Sequence, residues 1–367
     1  MKVTLDTFLR EISEKTTENN QYPVLTSSKA GLYLQSDYFN KQVASKDNTG
    51  YKIIRRGQFT YRAMSDTGEF FPNMLECADV GIVSPAYPVF EICNKAIIVP
   101  EYLKYFFKSN TFQYSIASFA QGSTRTSVKF GKLKTVKIDL PDIETQKTSV
   151  AVLDGVIDVI QKREQQLQLL DDLIKARFVE MFGDPVVNSM NWQMQRFDSL
   201  CENLDGKRRP ITSTDRIEGP YPYYGASGIV DFVADYIFDE DILLISEDGA
   251  NLLARSTPIA FSVSGKVWVN NHAHVVRFSN FALQKYIEYY FAMISIEDYV
   301  TGSTQPKLNQ AKLNGMMIPI PSKDKIEKYL CFIRQIDKSK FIYLGGIYYD
   351  NRHFERNDSS CRWKRAG

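Results

Sequence analysis

Positive charge is the chemistry this chain offers most plainly. Arg125, Lys129, Lys132, Lys134 and Lys137 fall within residues 121–138 with no acidic residue among them. Lys41, Lys46, Lys52, Arg55, Arg56 and Arg62 fall within 41–62 against Asp47 alone, and Lys207-Arg208-Arg209 forms a third cluster. Tyr51, Tyr61, Tyr221, Tyr223 and Tyr224 accompany these clusters, and Lys307 adds a cation in the second half. Clustered lysine and arginine suit the phosphates of a polyanion, and interleaved tyrosines suit a binding face. For any one cluster a solvated charged face is the plain alternative. The formal net charge is only +2, so the patches are local rather than a general basic coat.

Groups that could carry catalysis are nearly missing. There is no phosphate-binding G-x-x-x-x-G-K-[ST] loop, no G-x-G-x-x-G and no G-x-S-x-G elbow. Pro141-Asp142-Ile143-Glu144 hints at a nuclease metal site but lacks the following lysine. An acidic first turn that complements a helix dipole explains it better. His272 and His274 flank Ala273, and on a strand they would share a face that could suit a metal. No cysteine or third histidine lies near, so hydrogen bonding or DNA contact is favoured there. Asp239-Glu240-Asp241 and Glu247-Asp248-Gly249 lack the ligand order of a calcium loop and read as solvated acidic loops. The five cysteines are far apart and form no C-x-x-C pair, which points to reduced thiols.

The elements that must position these groups occur twice. Residues 122–141, GSTRTSVKFGKLKTVKIDLP, and 302–321, GSTQPKLNQAKLNGMMIPIP, align at an offset of 180 without a gap. Gly122 and Gly302, Lys132 and Lys312, and Pro141 and Pro321 coincide. Each copy follows a β-rich stretch and a helical pattern, and each leads into a long helix, so a whole domain is duplicated. From Asp142 to Phe182 the only glycine is Gly155 and there is no proline. Val150, Leu153, Ile157, Ile160, Leu167, Ile174, Phe178 and Met181 trace a coiled-coil seam, interrupted by Glu164 and Asp171. Such a helix is about 60 Å long. The second long helix starts at Ser322 and loses its heptad near 343, and residues 344–367 are polar, basic and carry Gly345-Gly346. The N-terminal segment is charged and lacks the apolar core of a signal peptide. No run of about 18 apolar residues exists, so no membrane span is expected and a cytoplasmic location is.

The chain resembles the specificity (S) subunit of Type I restriction-modification systems. The resemblance is carried by QGSTRTSVKFGKLKTVKIDLP and by the helix DIETQKTSVAVLDGVIDVIQKREQQLQLLDDLIKARFVEMFGDP. DVGIVSPAYPVF, YPYYGASGIVDFV, DILLISEDGANL, NNHAHVV and TGSTQPKLNQAKL extend it, so it covers about residues 20–341. It implies an α+β fold with two pseudo-repeated β-rich target recognition domains, bridged by long helices that form an antiparallel coiled coil. The first recognition domain would span 1–141, the central spacer helix 142–185 and the second recognition domain 186–321. A truncated distal spacer helix would span 322–343, followed by an aberrant, disordered tail at 344–367.

The resemblance also implies function. Each recognition domain would read one half of a bipartite, asymmetric target on double-stranded DNA. The helices would dock DNA methyltransferase (M) subunits and, beyond them, restriction/translocase (R) subunits. The chain itself would be non-catalytic and bind no cofactor. S-adenosylmethionine, ATP and magnesium would sit on the partner subunits. Candidate DNA contacts are Arg55, Arg56, Arg62, Ser123, Thr124, Arg125, Lys129, Lys132, Lys207, Arg208, Arg209, Tyr224, Ser303, Thr304, Gln305 and Lys307. The GST motifs form either a turn near the DNA or a structural turn before a strand. The short distal helix departs from the family pattern. A subunit of a methylation-only system shares every one of these features. A scaffold of two binding bodies on a coiled-coil strut explains the heptads but not the repeated basic segments. Arg125→Ala should weaken DNA binding, and a titration that gives unchanged affinity would remove Arg125 from the interface.

Overall fold

Two stretches of the chain build the same order of elements. The structure is a computed structural model that describes residues 1–38, 46–119, 126–302 and 305–343. It contains two compact units, Met1–Ile160 and Gln161–Gly367, whose boundary falls inside one continuous helix, Ile143–Phe182. In the first unit, strand Lys2–Thr4 pairs antiparallel with Lys137–Asp139, so the body closes its first strand on its last. In the second unit, Gln193–Arg196 pairs in the same way with Met317–Ile320. The short helix Phe130–Leu133 is matched by Gln310–Asn314, and strand Lys137–Asp139 by Met317–Ile320. The helix that starts at Ile143 is matched by one that starts at Lys323, so all three starts keep the offset of 180 seen in the sequence.

Each body has a four-stranded sheet with helices packed on it. In the first unit the strand order is Leu9–Ile12, Val89–Ile92, Phe59–Thr60, Asn73–Met74. Helices Pro100–Lys108 and Asn110–Ala117 supply Phe107 and Phe112, whose rings meet at 4.9 Å, and Phe107 also meets Phe59 at 5.7 Å. Pro100 opens its helix where a missing N–H costs nothing. The Ser109 hydroxyl accepts the Phe112 N–H and starts the next helix. In the second unit the order is Cys201–Asn203, Ala273–Phe278, Ile242–Ser246, Ala260–Val263. Strand Ile242–Ser246 is buried at every residue, which accounts for its uninterrupted apolar run. A second sheet in this unit orders Gly228–Val233, Glu218–Gly225, Lys266–Val269 and Phe238–Asp239.

The central helix, Ile143–Phe182, begins as its acidic first turn predicts. Asp142 accepts hydrogen bonds from the Thr145 N–H (2.9 Å) and hydroxyl (2.8 Å), an N-cap. Gly183 ends it at φ +79°, where its N–H reaches the Val179 carbonyl. Within the second unit the distal helix, Lys323–Tyr343, runs antiparallel along its C-terminal half. Lys325 reaches the Met181 carbonyl, the Tyr329 hydroxyl donates to the Ile174 carbonyl at 3.2 Å, and Lys340 pairs with Asp171. Phe178, Phe182, Tyr286 and Tyr329 form a four-ring cluster that joins these two helices to helix Phe281–Met293. Ile326, Ile333 and Ile336 fill in around it.

The predicted seam is thus covered at Ile174, Phe178 and Met181, while Leu153, Ile157 and Ile160 stand 39%, 40% and 50% exposed. Residues 344–367, the expected tail, lie outside the described residues. Cys77, Cys93 and Cys201 are free thiols. Among the described residues no helix is long and apolar enough to cross a membrane. Phe178 is fully buried in the four-ring cluster. Phe178→Ala should destabilise the second unit by about 3–5 kcal/mol in chemical denaturation, with far less effect from the exposed Ile160→Ala.

Candidate nucleic-acid interface

In the second unit a buried charge network gathers one polar edge. Asp205 opens a short turn, Asp205–Lys207, and His274 lies on strand Ala273–Phe278. His274 Nδ1 is 2.6 Å from Asp205 Oδ2, and its Nε2 is 2.8 Å from the Leu308 carbonyl oxygen. Each ring nitrogen thus has an oxygen within hydrogen-bond distance. Asp205 Oδ1 also accepts the Val275 N–H at 2.7 Å. Burial pushes the Asp205 carboxyl up, but the hydrogen bond and charge of His274, the Val275 N–H and the Arg208 charge outweigh it and hold the group below its ordinary value. Glu247 is similar: burial raises it, while hydrogen bonds from Arg208 and Lys307 bring it below its usual range.

This network holds the residues that flank the second GST motif, Thr301 and Lys307. Thr301 and Lys307 exchange both backbone hydrogen bonds at 2.8 Å, which closes a tight loop. The Leu308 N–H donates to the Glu247 carbonyl and the Gly249 N–H to the Pro306 carbonyl, so the loop lies along residues 247–249. Lys307 Nζ sits 3.1 Å from Glu247 Oε1. Gly302 has φ +85°, and a Cβ there would fall 2.6 Å from the Gln305 carbonyl oxygen. A glycine is therefore required, and the first residue of this GST motif serves the turn. Gln305 and Lys307 are exposed. Ser303 and Thr304 lie outside the described residues, as do Ser123, Thr124 and Arg125 of the first copy.

The same edge collects the Lys207-Arg208-Arg209 cluster, but the three residues part company. Lys207 and Arg209 are exposed. Arg208 turns inward, with only 14% of its side chain accessible. Its guanidinium donates to Glu247 (2.6 Å) and to the carbonyls of Ala273 (2.7 Å) and Asp205 (3.1 Å). It is a framework residue here rather than a free cation. Trp268 Nε1 donates to the Arg209 carbonyl at 2.6 Å, and the Arg209 N–H reaches the Val269 carbonyl. Tyr224 is half-buried against Phe261 and offers its carbonyl to the Asn270 N–H. His272 pairs with Asp248 at 3.0 Å, so the two histidines meet separate carboxylates. Glu247 is only 13% accessible, which corrects its reading as part of a solvated loop. Asp205 carried no sequence signal, because His274 lies 69 residues further along the chain.

In the first unit the basic cluster is largely paired. Arg55 makes a two-pronged contact with Glu14, Arg56 meets Asp79 at 2.8 Å, and Arg62 lies 3.6 Å from Asp66. These pairs are solvent-exposed, where an ion pair contributes little and a phosphate can compete. Arg62 also lines a cavity of about 310 Å³ with Lys29, Asp66, Glu69 and Phe71. Lys129 and Lys132 are exposed and have no ion-pair partner among the described residues. The Cys201 thiol is pushed up to about 12 by burial, which leaves it a poor nucleophile. No group of three His, Cys, Asp or Glu side chains among the described residues could hold a metal.

Known proteins place this arrangement. Residues 6–170 and 190–343 match the model of the Type I restriction modification DNA specificity domain. A putative type I restriction enzyme specificity subunit of Haemophilus influenzae is 31% identical over 140 residues, which is 38% of this chain and 36% of that protein. The MjaIX specificity subunit of Methanocaldococcus jannaschii is 24% identical over 280 residues, 67% of this chain and 64% of that protein. The chain thus spans between about a third and two thirds of these curated relatives. The crystal structure of the Type I restriction-modification S subunit from M. genitalium superposes with a TM-score of 0.54 at 14% identity, over 94% of this chain and 91% of that one.

The charge network sets a pH dependence. Asp205 and Glu247 have depressed values in the fold, so their stabilisation is present above the ordinary carboxylate range and is lost as pH falls through the folded values. The second unit should therefore lose stability as pH drops below about 4. Asp205→Asn should cost about 3 kcal/mol at neutral pH and flatten that acid limb, as followed by thermal melts across pH.

Proposed function

The chain belongs to the Type I restriction-modification DNA specificity family, and on that premise we propose that it reads a bipartite, asymmetric sequence on double-stranded DNA for a Type I complex. Each body reads one half-site. In the second body the reading edge is the one held by the Asp205–His274 network, where Lys207, Arg209, Gln305 and Lys307 are exposed together. That juxtaposition is the observation that supports the proposal most directly. Lysine and arginine position the duplex through its phosphates, and polar side chains such as Gln305 are the type that reads base edges. In the first body Lys129, Lys132 and the GST segment with Ser123, Thr124 and Arg125 take the corresponding place in the repeat.

The two long helices dock methyltransferase subunits, and restriction/translocase subunits join through them. The chain supplies address rather than chemistry. S-adenosylmethionine, ATP and magnesium belong to the partners. The central helix is acid-rich while the bodies carry the basic clusters, which suits a protein partner on the helix and a polyanion on the bodies.

Methylation mapping tests this reading. A methylation-free host carrying this gene with its neighbouring methyltransferase gene should acquire a split, asymmetric methylated motif that is missing when the methyltransferase acts alone. Affinity for that duplex should fall steeply with salt. Absence of a motif together with salt-independent binding would favour a scaffold with two binding bodies.

A further inference from the structure

The hairpin Glu218–Val233 of the second unit carries a residue too many. Tyr223 faces Asp231, but the next pair is Tyr224 with Ile229, so Val230 is the extra residue of a β-bulge. Bulges re-aim side chains and bend the strand. Val230 is 57% exposed and Ile229 51% exposed, two branched apolar side chains in water beside the turn. The space for Val230 depends on Gly225, where a Cβ would lie 2.8 Å from Val230 Cγ2.

The turn belongs to the basic edge. Ser246 Oγ donates to the Ala226 carbonyl, and the Asn270 N–H donates to the Tyr224 carbonyl at 3.0 Å. Ile229, Tyr224 and Val269 are successive partners across the sheet, and the Arg209 N–H binds the Val269 carbonyl. Ile229 and Arg209 are therefore three strand spacings apart, roughly 14 Å. A major groove is about 12 Å wide, with base edges on its floor and phosphates along its rims. An apolar pair beside the turn, with an exposed arginine at that distance along the sheet, suits an apolar group on the floor and a charge at the rim. The apolar group that bases present in the major groove is the C5-methyl of thymine.

We propose that Ile229 and Val230 are specificity-determining residues that contact thymine C5-methyl groups in the major groove of the half-site read by the second body. The inference rests on the DNA-recognition reading above. It makes A·T pairs part of that half-site, read by apolar contact rather than by hydrogen bonds.

The test is a selection from two randomised duplex pools, one made with thymine and one with uracil, which lacks only the methyl. The full chain is used with its methyltransferase subunit, as wild type and as Ile229→Ser and Val230→Ser. Serine carries no methyl group, and both sites are exposed, so the variants should fold. In the thymine pool the wild type should enrich a bipartite motif. In the uracil pool the preference at certain positions of one half-site should fall about fourfold per methyl. The serine variants should lose preference in the thymine pool at those same positions and keep the other half-site. A motif that uracil leaves unchanged, or variants that alter no position or different positions, would overturn the inference while leaving the DNA-recognition reading intact. No enriched motif in the thymine pool would overturn that reading itself.

Discussion

An imidazole and a carboxylate buried together, His274 and Asp205, are the contact around which the second body's polar edge is organised. His274 is 1% exposed and its partner carboxylate 8%. Removing charges from water is costly, and the cost is met only if every donor and acceptor is satisfied. That requirement draws in the Leu308 carbonyl, the Val275 N–H, Arg208 and Glu247. Each comes from a different part of the chain. Satisfying them brings the turn at 205–207, the loop at 247–249 and residues 306–308 to one edge. Lys207, Arg209, Gln305 and Lys307 then face solvent together because their neighbours face inward. The exposed basic edge is a consequence of the hydrogen bonds that the buried network beneath it makes.

The duplication supplies a second constraint. Both bodies close their first strand on the strand that precedes a long helix, with Val3 opposite Ile138 in one and Gln195 opposite Ile318 in the other. The copies differ in what they place inside. The first body fills its core with phenylalanine rings such as Phe59, Phe90 and Phe107. The second buries the charge network and adds a sheet that carries the Glu218–Val233 hairpin. The two bodies thus share a frame and differ in what fills it.

The helices show how far a local pattern reaches. The heptad seam runs from Val150 to Met181 on one face, yet the distal helix covers it only around Ile174, Phe178 and Met181. Periodicity specifies which side of a helix can be buried. It does not specify the length of the partner. The aromatic cluster of Phe178, Phe182, Tyr286 and Tyr329 needs three helices to meet, and heptad counting along one of them cannot reveal it.

The sequence by itself determined the duplication, the alternation of β-rich bodies with long helices, and the helix start at Asp142. Each depends on interactions within a few residues: caps, helical period, proline and glycine at turns. It also marked Gly302, whose turn allows no side chain. Only the tertiary structure decided the fate of individual charges. Arg208 and Arg209 are neighbours of the same type, but one points at Glu247, 39 residues on, and the other at solvent. Glu247 looked solvated in sequence and is only 13% accessible in the fold. The reason is physical: whether a charge is buried depends on whether a distant partner arrives to neutralise it, and that is a property of the folded chain rather than of any segment.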